Sequence, residues 1–130
     1  MLKSYIDRII KEAQLEEDLT EETKNCWSFF LSPSLNFMIQ EENESIIFTC
    51  ELGQAPKSAK SLEELLYANF GFSGTFGSTI ALDKSLDKAV IWRSILSHAG
   101  YECFRGNLED FANCAEYWSG FVRGEKTNTL

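Results

Sequence analysis

Between Cys26 and Leu52 the chain reads CWSFFL, SLNFMIQ and SIIFTCEL, three runs of aromatic and β-branched residues separated only by Ser32-Pro33 and the polar stretch Glu41 to Glu44. Side chains of this kind suit a pleated surface. Connections this short join antiparallel neighbours, because a parallel pair needs a crossover of about a dozen residues or more. The expectation is an antiparallel meander. In the second run Leu35, Phe37 and Ile39 alternate with Asn36, Met38 and Gln40, so one face of the sheet is apolar and the other mixed.

On either side of the meander the apolar period changes from two to 3.6. Leu2, Tyr5, Ile6, Ile9, Ile10 and Ala13 form one helical stripe, predicting a first helix to about Leu15. The stripe is wide enough either to face the core entirely or to leave a share for a partner. After the polar GQAPKSAK, the run SLEELLYANF has Ser61 three residues before Glu64, the spacing of a capping box, and predicts a second helix starting there. Leu62, Leu65, Leu66 and Asn69 share one side of it, and Tyr67 and Phe70 extend its apolar surface, as core or as subunit interface.

A hairpin follows, with strands at Ser78 to Leu82 and Lys88 to Leu96 around a polar turn from Asp83 to Asp87. Gly71, Gly74 and Gly77 precede it without GxxxxGK[ST] and without a following helix, so they read as tight backbone geometry and not as a phosphate loop. A last helix from Tyr101 carries Phe104, Leu108, Phe111, Ala112, Ala115, Trp118 and Val122 on one stripe. The predicted order is α-β-β-β-α-β-β-α, an α+β fold whose antiparallel twisted sheet is covered by helices on one side. With 130 residues, one domain is expected over 1–124, with 125–130 a mobile tail.

Twelve Lys and Arg against 20 Asp and Glu leave a net charge of −8. That balance disfavours nucleic acid, whose binding rests on cations displacing counterions from phosphates. Glu16, Glu17 and Asp18 read as a solvated acidic cluster. No stretch reaches the roughly 18 to 20 apolar residues of a membrane span, and charges interrupt the N-terminal segment where a secretory signal is apolar. A cytoplasmic protein without membrane contact is expected. The cysteines at 26, 50, 103 and 114 form no CxxC pair and no metal-ligand spacing, so buried free thiols are expected and neither metal nor cofactor. His98 is the single histidine, and a dyad with Cys103 has nothing beyond five-residue proximity behind it. No catalytic residue is assigned and no enzyme is expected.

The stretch LLYANFGFSGTFGSTIALD, then VIWRS, then LEDFANCAEYW resembles the class I type III secretion chaperones of Gram-negative bacteria, the CesT or Tir-chaperone family. Leu65, Leu66, Ala68, Asn69 and Phe70 are similar to the family's helix signature, and Gly74, Thr75 and Gly77 to its glycine turn. Leu82 and Asp83 match its strand end, and Val90, Trp92 and Arg93 its next strand. Leu108, Phe111, Ala115, Glu116 and Trp118 match its closing helix. Phe76 departs from the pattern, standing where the family usually has a small residue.

The resemblance implies a non-enzymatic, acidic bacterial cytoplasmic homodimer, with a heterodimer of related chaperones as the variant. Its partner is the N-terminal chaperone-binding segment of a secreted effector, held soluble, extended and export-competent. On this basis Tyr5, Ile9, Phe29, Phe37 and Trp92 are the expected effector-binding residues, and Leu62, Leu66, Tyr67, Phe70 and Ile80 the expected dimer interface. For each, ordinary core packing is the competing reading. The alternative function is a regulatory binding protein of the same fold that sequesters a transcription or secretion regulator, to which an acidic surface is also suited.

Overall fold

The structure, a computed structural model, describes residues 1–14, 19–72 and 74–124. Helix α1 (Leu2–Ala13) is followed by strands β1 (Leu19–Thr23), β2 (Cys26–Ser32), β3 (Leu35–Glu42) and β4 (Ser45–Gln54). Then come helix α2 (Ala59–Asn69), a 3₁₀ turn (Phe70–Phe72), strands β5 (Thr79–Asp83) and β6 (Lys88–Leu96), and the long helix α3 (Tyr101–Val122). All neighbours in the sheet are antiparallel, in the order β1-β2-β3-β4-β6-β5. The meander and the hairpin are both present, and β6 sits beside β4, which leaves β5 as an edge.

Strand β1 adds one element to the expected order. LTEET carries a single buried residue, Leu19, so it has no alternation to read. It is a strand because β2 offers it a partner, with Leu19 opposite Phe29 and Glu21 opposite Trp27 before a bulge between Glu21 and Thr23. The pairing is tertiary, and local propensity has little part in it.

The start of α2 is also earlier than expected. Ser58, in extended conformation, is the N-cap, and its hydroxyl accepts from the Ser61 N–H at 3.1 Å. Ser61 and Glu64 therefore lie inside the helix and form no capping box. Helix α1 closes at Ala13, where Gln14 takes a left-handed conformation and returns its N–H to Ile10. The expected end at Leu15, the acidic cluster Glu16 to Asp18 and the tail 125–130 lie outside the described residues.

The core lies on one face of the sheet. Phe37, Ile39, Ile46, Phe48, Leu52 and Ile91 project toward α3, whose Phe104, Phe111 and Ala115 are fully enclosed. Phe37 meets Phe111 edge-on at 5.5 Å between centroids, and Phe48 lies 5.8 Å from Phe104. Such offset and tilted pairs add roughly 0.5–1.5 kcal/mol beyond area burial. Helix α1 completes the layer, with Tyr5 stacked on Phe104 at 5.2 Å. Helices α1 and α3 thus cover the face as expected, whereas α2 flanks β5 at the edge.

Candidate functional site

The second face of the sheet has the mixed character read from β3. Cross-strand register aligns Ser28, Met38, Thr49, Trp92 and Thr79 in one row over five strands. An open groove of about 460 Å³ runs here, lined by Asn36, Met38, Thr49, Val90 and Trp92, with Glu51, Lys88 and Arg123 supplying its charges. Arg123 is held by its own bonds, Nε donating to the Leu52 carbonyl at 3.0 Å and a terminal nitrogen to Ser34 at 3.1 Å. Trp92 is 41% exposed. An apolar floor with polar margins suits an extended polypeptide, whose alternate side chains and backbone need both.

A second surface forms where α2 meets the edge of the sheet. Leu66, Tyr67 and Phe70 are 70%, 69% and 82% exposed, and Leu82 of β5 is exposed beside them. Leu62, Leu65, Leu66, Ile80 and Leu82 surround a depression of about 240 Å³. Large apolar side chains grouped in this way mark contact surfaces, since isolated ones are the ordinary case on a monomer. Asn69, the last residue of α2, reaches across to β5. Its Oδ1 accepts the Ile80 N–H at 2.9 Å, and its Nδ2 donates to the Ile80 carbonyl at 2.8 Å.

The glycine turn between these elements is built around Arg93, a guanidinium only 4% exposed. Its Nε donates to Ser78 Oγ at 2.9 Å, one terminal nitrogen to Asn107 Oδ1 at 3.0 Å, and the other to the carbonyls of Thr75 (3.3 Å) and Phe76. Trp118 Nε1 donates to the Gly74 carbonyl at 2.8 Å, and the Cys114 thiol to that of Thr75 at 3.2 Å. Gly74 is required by close approach, because a Cβ there would lie 3.0 Å from the Ala68 backbone. Phe76 is exposed, which explains how a bulky side chain fits where a small one was expected. It borders a further shallow groove of about 330 Å³ with Asn113, Tyr117 and Trp118.

The expected effector-binding residues divide by burial. Tyr5, Ile9 and Phe37 lie in the core. Tyr5 donates its hydroxyl proton to the Ser97 carbonyl at 2.7 Å and accepts from the Gly100 N–H, so both ends of the side chain are committed. Phe37 is enclosed between Phe29 and Phe111. Their burial takes these three out of the accessible surface. Phe29 is half-buried at the β2 end of the core face, and Trp92 lies open on the opposite one. Of the expected dimer residues, Leu66, Tyr67 and Phe70 are exposed together, Leu62 is half-buried, and Ile80 is buried beneath them. Sequence reading missed Met38, Thr49 and Val90 as lining residues; alternation placed Met38 on the mixed face, but only strand register brings it into line with Trp92.

The thiols differ from the buried set expected. Cys50 and Cys114 are buried, Cys26 is half-buried, and Cys103 is exposed on α3. Burial pushes the Cys50 thiol up to about 12, against a smaller opposing pull from Arg123, and burial raises Cys114 as well. Cys103 Sγ takes a hydrogen bond from Asn107 Nδ2 at 3.3 Å, while His98 lies in the turn before α3. Among the described residues no group of three or more His, Cys, Asp or Glu is placed to hold a metal ion, and no helix is long and apolar enough to cross a membrane.

No curated protein matches the chain in sequence. Solved structures do match in fold. The HopA1–SchA chaperone–effector complex contains a chain of TM-score 0.71 at 10% identity, over 91% of this chain and 92% of that one. The heterodimeric ExoU–SpcU complex from the type III secretion system of Pseudomonas aeruginosa gives 0.70 at 14%, over 94% and 98%. The Yersinia pestis type III secretion chaperone SycH, in complex with a stable fragment of YscM2, gives 0.67 at 17%, over 88% and 97%. At these identities the likeness is one of fold. The profile of the Tir chaperone protein (CesT) family matches residues 5–119, from within α1 through the whole sheet and α2 to within α3, and the chain belongs to that family.

Proposed function

We propose that this chain is a type III secretion chaperone that binds the N-terminal chaperone-binding segment of a secreted effector and keeps it soluble, extended and ready for export. In this reading it works in the bacterial cytoplasm as a homodimer, without catalysis and without a cofactor. The observation that carries it is the pair of separate apolar surfaces, the Trp92 groove and the α2–β5 patch, on a member of a chaperone family. Two functions need two surfaces, one for a passenger and one for a second copy.

The physical case rests on entropy. An unfolded segment loses conformational freedom on docking, at a cost of about 2–5 kcal/mol or more. Apolar burial offsets that cost without demanding one sequence, because it is weakly directional. Trp92 is the proposed effector contact in the groove, and Phe29, half-buried on the opposite face, joins Tyr5, Ile9 and Phe37 in supporting the sheet from the core side. Leu66, Tyr67 and Phe70 are the proposed dimer contacts, with Leu62 at their margin and Ile80 as support.

The test is co-expression with the N-terminal region of a secreted effector of the same bacterium, followed by light scattering of the purified chain and complex. The expected result is a soluble complex and a free protein of twice the 14.8 kDa chain mass. A monomer that captures no secreted substrate would overturn the proposal. Capture of a polymerase subunit or a regulator in place of an effector would favour the regulatory alternative.

A further inference from the structure

We propose that Asn69 closes the β5 edge of the sheet to added strands, so that a second copy of this chain meets the α2–β5 surface through side chains and not by extending the sheet. The second copy belongs to the function proposed above; the closure of the edge stands on its own geometry.

In an antiparallel ladder, alternate residues of an edge strand turn their N–H and C=O groups away from the neighbour. On β5, Ile80 lies opposite Ile91 of β6, and its outward N–H and C=O are both taken by the Asn69 amide, at 2.9 and 2.8 Å. The amide presents the acceptor and donor that a paired strand residue would present. The Ser78 N–H, two residues earlier, is bonded to the Thr75 carbonyl at 3.1 Å. Within the five residues of β5 this leaves Leu82 as the remaining outward position, with the Ser78 carbonyl just before the strand begins. A single position does not make a ladder.

The residue type follows from the geometry. Aspartate lacks the donor, glutamine moves both groups by a methylene, and leucine has the shape without either group. The position follows from the local fold: Asn69 ends α2, and the chain turns away through Gly71 at φ 61°. Without the plug, this edge would combine free backbone groups with the exposed Leu66, Tyr67 and Leu82, the combination that invites edge-to-edge association.

The probe is a synthetic peptide of this chain's own edge strand, Ser-Thr-Ile-Ala-Leu-Asp-Lys (residues 78–84), titrated against the full chain with Asn69 intact, Asn69→Leu and Asn69→Ala. With Asn69 present, the peptide is expected not to bind, and the Ile80 amide exchanges slowly. With Asn69→Leu, peptide affinity is expected to rise at least about tenfold. Species larger than the unaltered protein should then appear in light scattering as concentration increases. A folded Asn69→Leu variant with unchanged peptide affinity and unchanged mass overturns the proposal. If the apolar variants do not fold, Asn69→Ser keeps a polar side chain too short to reach Ile80 and frees both its N–H and its C=O. Binding by that variant supports the closure, and its absence counts against it. A monomeric unaltered protein would sink the dimer reading alone, leaving the peptide titration to decide the edge.

Discussion

Arg93 shows how much of this molecule depends on one buried cation. Its guanidinium serves Ser78, Asn107 and the carbonyls of Thr75 and Phe76, so it holds β6, α3 and the glycine turn at once. Asp110 at 3.9 Å is exposed and contributes little by comparison. Arg93→Ala is expected to cost about 3–5 kcal/mol in urea unfolding, because it strands buried acceptors. Arg93→Lys should cost less, since an ammonium offers three donors but not the planar fork. Thiol chemistry is graded in the same way. Native protein treated with iodoacetamide should label first at Cys103 and last at Cys50, whose burial holds it protonated; equal labelling rates would contradict the packing. Glu41 supplies a pH dependence. Burial opposes its ionisation, but the polar Ser97 hydroxyl nearby, the Leu2 N–H donating at 3.2 Å and the N-terminal ammonium at 3.6 Å together outweigh it and hold the carboxyl below its ordinary value of 4.5. Its stabilising share is therefore complete above that value and is lost as pH falls through the lower folded one. Thermal melts of Glu41→Gln should run below those of the unaltered protein at pH 7 and converge with them in acid. Arg93 was legible as part of a family pattern, but its role was not, because its hydrogen-bond partners other than Ser78 and Asn107 are backbone carbonyls that carry no sequence signal.

At the scale of elements, periodicity located every helix and five of the six strands, and failed where an element depends on a neighbour. LTEET becomes β1 through pairing with β2. The capping box at Ser61 and Glu64 failed for a different reason: Ser58 offers the same chemistry three residues earlier, and spacing alone does not choose between two serines. Ser58→Ala should cost about 1 kcal/mol, and Ser61→Ala only a few tenths, when both are followed by urea unfolding. The reverse order would restore the capping box. Helix α2 divides the apolar surface that its sequence left even between core and interface. Leu65 and Ala68 are buried while Leu66, Tyr67 and Phe70 are exposed, so a short helix at a sheet edge has one side in the core and another open, the side the proposed dimer would use.

For the whole molecule, the two apolar surfaces should be separable. Leu66→Glu combined with Phe70→Glu is expected to halve the mass seen in light scattering while the circular dichroism spectrum stays unchanged. Trp92→Ala should leave the mass unaltered and weaken capture of an effector segment at least about tenfold, the loss of one buried aromatic anchor. Loss of both properties in either variant would mean that one surface serves both roles. Periods and intervals along the chain were enough for the class of fold, the strand order within the meander and hairpin, and the lack of the usual catalytic and metal-binding spacings. The sequence also pointed to an apolar excess around α2 and Trp92. Which aromatics form that excess depends on packing. Tyr5, Ile9 and Phe37 are as apolar as Leu66 and Phe70, and burial is set by what lies opposite across the sheet, where α3 covers one face and leaves the other open.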